Sequence, residues 1–73
     1  MSELAQRLKL TVNGEARSLP PGSSLAELLA EIGLAARKVA VERNLEIVPR
    51  SQYATTLLTD GDAIEIVHFI GGG

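Results

Sequence analysis

Leu8-Lys9-Leu10-Thr11-Val12-Asn13-Gly14 is the stretch whose reading decides the fold. Apolar and polar residues alternate from Leu8 to Val12, a period of two that sends Leu8, Leu10 and Val12 to one buried face of a strand. Asn13-Gly14 follows at once. Both residue types tolerate positive φ, so the pair predicts a tight hairpin with Glu15–Leu19 returning as the second strand. Pro20-Pro21-Gly22 then stops that strand and opens a turn.

Downstream, the period changes. Ser24-Leu25-Ala26-Glu27 has the form of a capping box, with Ser24 as the N-cap and Glu27 reaching back to it. Leu25, Leu28, Leu29 and Ile32 form one apolar stripe at helical spacing, and Gly33 suits a left-handed stop with Leu34 folding back. Val39-Ala40-Val41-Glu42 reads as a third strand, Asn44 as a turn, and Leu45 to Val48 as a short apolar return ended by Pro49. Residues 50–56 read as a polar loop or one helical turn, and Leu57-Leu58 as a brief strand. Asp60-Gly61-Asp62 makes a tight turn into a last strand from Ala63 to Ile70. One helix must cover one face of a mixed four- to five-stranded sheet, an α+β architecture. The first and last strands are the most apolar, which makes them neighbours at the centre. That arrangement is the β-grasp, with residues 1–7 as a flexible extension, 8–70 as the domain and 71–73 as a flexible tail.

Composition narrows the chemistry. The chain has 73 residues and no cysteine, so it has neither a disulfide framework nor a thiol nucleophile. One histidine makes no zinc site alone. A formal net charge of −2 argues against non-specific nucleic-acid binding. All seven Lys and Arg lie within residues 1–50, whereas 51–73 hold only the acids Asp60, Asp62 and Glu65. Such an anionic end suits a basic partner surface, and ordinary surface variation explains it equally well. No stretch approaches the ~18 apolar residues of a membrane span, and Met1–Arg7 lacks the apolar core of a signal peptide. The expectation is a cytoplasmic protein.

No acid–base pair, metal cluster or nucleophile emerges, and the chain is not expected to be an enzyme. Asp60 and Asp62 lack the further ligands of a calcium loop and read as turn residues. In the last strand Ile64, Ile66, His68 and Ile70 project to one side, Val67 and Phe69 to the other. With one helix, the second side stays open. Val67 and Phe69 are then a docking patch beside the tail, unless Phe69 packs against the 50–56 loop. Arg43 and Arg50 are candidates for meeting an acidic partner, or ordinary solvated side chains. Gly71-Gly72-Gly73 is either a frayed end, an engineering scar or a bare tip that reaches roughly 10 Å into another protein's cleft.

Val39 to Asn44, Ile47-Val48-Pro49-Arg50-Ser51-Gln52, Asp60-Gly61-Asp62, Ile64 to Val67 and the final Gly72-Gly73 together resemble the sulfur carrier proteins of thiamin biosynthesis, a ubiquitin-like β-grasp family. The resemblance covers Leu8 to Gly73. It departs from the family's pattern in a third glycine, Gly71, and in Tyr53, where an aromatic or histidine is common. It implies that the Gly73 carboxylate is adenylated by ATP on a ThiF-type adenylating enzyme and converted to a thiocarboxylate. That sulfur would pass to a ThiG-type thiazole synthase, having come through a cysteine desulfurase. No cofactor would be bound by the chain itself; AMP and sulfur would ride on Gly73. Tail residues Gly71 and Gly72, and docking residues Val67, Phe69, Ile70, Arg43 and Arg50, complete the expected site. Alternatives are a molybdopterin-synthase-type sulfur carrier, a ubiquitin-like protein modifier whose product is an isopeptide bond, and a plain interaction module.

Overall fold

The structure, a computed structural model, describes residues 7–69. Five strands, β1 (Leu8–Val12), β2 (Glu15–Leu19), β3 (Val39–Arg43), β4 (Glu46–Val48) and β5 (Ala63–His68), form one sheet in the order β2-β1-β5-β3-β4. Among the described residues one α-helix, α1 (Leu25–Ile32), lies between β2 and β3 in the chain. β1 and β5 run parallel side by side, and the other pairs are antiparallel. A parallel pair cannot be joined by a tight turn. The chain therefore crosses over through α1 and returns to the centre with β5.

The alternation in β1 works as its residues dictate: Leu10 and Val12 are buried and Leu8 half-buried. Asn13 and Gly14 both take positive φ, 50° and 84°, as a two-residue hairpin requires. Asn13 also extends the sheet where β1 turns away. Its amide oxygen accepts from the Ile66 N–H at 2.7 Å, and its amide nitrogen donates to the Ile66 carbonyl at 3.2 Å. One side chain thus satisfies the backbone groups that the departing strand leaves behind on β5.

α1 begins with the full capping box: the Glu27 N–H donates to Ser24 Oγ, and Glu27 Oε1 accepts from the Ser24 N–H. Two further N-terminal donors are met from outside the helix. The Leu25 N–H donates to the Thr56 carbonyl and the Ala26 N–H to the Tyr53 carbonyl. Gly33, at φ 93°, closes the helix, with its own N–H and that of Leu34 both donating to the Leu29 carbonyl. Leu25, Leu28 and Leu29 point into the sheet and are buried against Leu10, Leu19, Val39, Val41 and Ile64. Each such side chain contributes roughly 1.5–3 kcal/mol.

Four expectations are revised. Leu45 is not part of the return strand: Asn44 and Leu45 are the turn itself, at φ 53° and 73°, and β4 starts at Glu46. Leu57-Leu58 makes no strand but a single bridge between Leu57 and Ser24, because the segment crosses the helix N-terminus rather than joining the sheet. β3 runs one residue further, to Arg43, and β5 ends at His68, although the Phe69 N–H still donates to the Lys38 carbonyl. Tyr53 is buried within the core, its hydroxyl 3.5 Å from the Val39 carbonyl. The 50–56 segment does contain one 3-10 turn, Arg50–Gln52.

Candidate functional site

The open face of the sheet is the candidate site. Strand alternation decides what it presents: Val39 and Val41 of β3 and Ile64 and Ile66 of β5 face α1, so Ala40, Glu42, Glu65 and Val67 face the other way. Val67 is 61% exposed and Phe69 52%, so both stand clear of the core. Phe69 is the last described residue on the path to the tail. Ile70, Gly71, Gly72 and Gly73 lie outside the described residues, and so does most of the 1–7 extension.

The face holds more than the patch. Leu45 and Ile47, at 86% and 76% exposed, add two aliphatic side chains. A concavity of about 390 Å3 is lined by these two with Ala40, Glu42, Glu65 and Val67. Sequence reading missed Leu45 and Ile47 as surface residues. A signal existed for Ile47: the hairpin pairs it with Glu42, which the β3 alternation already sends outward.

The two arginines do not join that patch. Arg43 lies at the β5 start, opposite Ile64, and Val67 lies three residues further along, roughly 10 Å away. The Arg43 Nε donates to Asp62 Oδ2 at 3.0 Å. Arg50 Nη2 donates to the Arg37 carbonyl at 3.3 Å. Both guanidinium groups therefore brace their own chain.

Asp62 is the acceptor around which this end of the sheet is organised. It is 4% exposed and also accepts from the Thr59 N–H at 2.8 Å, the Thr59 hydroxyl at 3.0 Å and the Asn44 amide at 3.0 Å. Burial alone would push its carboxyl up. The hydrogen bonds from Thr59, Asn44 and Arg43 together outweigh burial and hold it below the usual carboxylate range. Asn44 in turn accepts from the Ala63 N–H at 2.9 Å, which fixes the Asn44–Leu45 turn to the start of β5. Asp62 is thus a turn residue as expected, and a tertiary anchor besides.

His68 is exposed and lines a separate cleft of about 220 Å3 with Glu15, Arg17, Ile32 and Leu34. Among the described residues, no group of three or more His, Cys, Asp or Glu is placed to hold a metal ion. No described helix is long and apolar enough to cross a membrane.

A five-stranded mixed sheet gripping one helix, with its central strand leading to the tail, is the ubiquitin-like β-grasp. Comparison with known proteins narrows this to a family of sulfur carriers. The sequence model of the ThiS family matches residues 10–73, and the chain belongs to that family. It is 48% identical over 50 residues to the sulfur carrier protein ThiS of Bacillus subtilis, covering 68% of this chain and 76% of that one. The crystal structure of thiamine biosynthesis protein ThiS from Geobacter metallireducens superimposes with a TM-score of 0.76 at 38% identity, over 90% of this chain and all of that one. A thiazole synthase of Paramagnetospirillum magneticum is 56% identical over 66 residues, 90% of this chain but only 20% of that protein. The chain thus spans about a fifth of the length of that relative.

Proposed function

We propose that the chain carries sulfur as a thiocarboxylate on Gly73 and delivers it to a thiazole synthase. The observation that carries this reading is the family match, which runs through the glycine tail to residue 73. The resemblance of this chain to a fifth of a thiazole synthase favours the thiazole branch over a molybdopterin one.

The chemistry asks little of the folded body. A carboxylate is a poor electrophile. Attack of a Gly73 carboxylate oxygen on the α-phosphorus of ATP releases pyrophosphate and leaves an acyl-adenylate. A sulfide-level nucleophile then adds at the acyl carbon and AMP departs with the bridging oxygen, giving the thiocarboxylate. Glycine leaves that carbon unhindered, and a tail of glycines fits a cleft too narrow for side chains. The folded domain would serve as the grip, with Val67, Phe69 and Ile70 beside the reacting end. The adenylating enzyme would supply the catalytic groups, and a cysteine desulfurase the sulfur, as a persulfide that a thiol reductant brings to the sulfide level.

The full chain, incubated with its adenylating enzyme, magnesium, ATP and sulfide, should gain the mass of one oxygen-to-sulfur exchange. A variant lacking Gly73 should melt like the parent and show no gain. Absence of the exchange in the parent chain with its cognate enzyme would refute sulfur carriage. If the exchange occurs but thiazole synthase leaves the thiocarboxylate unconsumed, carriage stands and the thiazole destination fails.

A further inference from the structure

Two features of the concavity on the open face work against the isolated domain. Glu42 and Glu65 are direct cross-strand partners on β3 and β5. Like charges so placed repel and weaken the pairing. The side chains around them are the exposed aliphatics Leu45, Ile47 and Val67, and no Lys or Arg lines the concavity. A sheet face under no other demand places polar residues outward and pairs opposite charges. This one interrupts its outward polar residues with exposed aliphatics and pairs two like charges.

One added cation would relieve the repulsion, and an apolar surface around it the exposure. We propose that the open face receives an arginine of a partner protein between Glu42 and Glu65, while apolar side chains of that partner surface cover Leu45, Ile47 and Val67. Arginine fits better than lysine. Its planar fork can bond two carboxylates at once, and its weak hydration lowers the cost of bringing it into an apolar surround. A second copy of this chain fits badly. A two-fold contact through this face would bring both copies' Glu42 and Glu65 into one desolvated interface, with no cation from the lining to offset four carboxylates. The inference deepens the carrier reading and rests on it only in taking the partner from the enzymes named above.

The test uses the full chain with Glu42→Gln and Glu65→Gln together, which keep side-chain shape and remove the charge. The parent and the double variant are titrated against the adenylating enzyme and, separately, the thiazole synthase, by calorimetry at several salt concentrations. Affinity should fall about tenfold or more for at least one enzyme, with a flatter salt dependence. The melting temperature should hold or rise, because the repulsion is gone. Unchanged affinity for both enzymes overturns the proposal, as does a fall in melting temperature that accounts for the lost binding. Parent dimers that dissociate on Ile47→Ser overturn it in favour of self-association. These readouts need no thiocarboxylate, so loss of sulfur exchange with charge-dependent binding intact would refute carriage alone.

Discussion

Asp62→Ala should be the most destabilising single change at the end of the sheet where β5 begins. The carboxylate accepts four hydrogen bonds, from the Thr59 N–H and hydroxyl, the Asn44 amide and the Arg43 guanidinium, at 2.8–3.0 Å. Bonds to a charged group contribute about 1.5–3 kcal/mol each when counted singly. Their plain sum would rival the whole stability of a chain this size, ~4–11 kcal/mol. The sum overstates the loss, because one carboxylate is shared and Thr59 and Asn44 are exposed enough to turn to water. About 3 kcal/mol is the reasoned figure, or a fall in melting temperature on the order of 12–24 °C.

The pH dependence gives the sharper test. The folded carboxyl titrates below its ordinary value. Its contribution is therefore complete above the unfolded value near 3.9 and is lost as pH falls toward and through the folded one. Urea unfolding of the parent and of Asp62→Asn, followed at pH 7 and in steps below about 4, isolates this carboxyl from the other acids. The gap between the two proteins should be widest at neutral pH and close on acidification. A gap that stays constant, or grows, refutes the assignment of Asp62 as the anchor.

Phe69→Ala should weaken binding to the adenylating enzyme severalfold yet cost less than about 1 kcal/mol in urea unfolding, since the ring is half exposed; a larger stability loss would return Phe69 to the core. Leu45→Gly should stabilise the fold by about 1 kcal/mol by relieving a positive-φ leucine, while binding to the same enzyme falls. Tighter binding by this variant would remove Leu45 from the docking face.

What the sequence makes legible here is local. The Leu8–Val12 alternation, the Asn13-Gly14 turn, the Ser24–Glu27 cap and the Gly33 stop each depend on residues within one turn or strand, and each forms as read. The outward direction of Val67 and Phe69 also follows from alternation alone. Contacts across the sheet are not legible in this way. Asp62 looks like any turn acid until Arg43 and Asn44, far back in the chain, are brought to it. Tyr53 sits in a polar segment, and only the packing of that segment over the helix start buries it. Leu45 follows an Asn without the glycine that marks a two-residue hairpin, so it reads as the first residue of a strand.

That turn ties fold to function. A leucine at φ 73° strains the backbone, and at 86% exposure it forgoes any hydrophobic gain from folding. Glycine would remove both penalties. The Asn44 side chain holds the arrangement by linking Asp62 to the Ala63 N–H, so the buried anchor keeps the exposed leucine in place. Across the concavity the Glu42–Glu65 repulsion is a second local penalty. Sequences break local rules where function requires it. Two such breaks line one concavity, one in the β3–β4 turn and one across β3 and β5, the strand that leads to the tail. A partner docked on the open face as proposed would offset both.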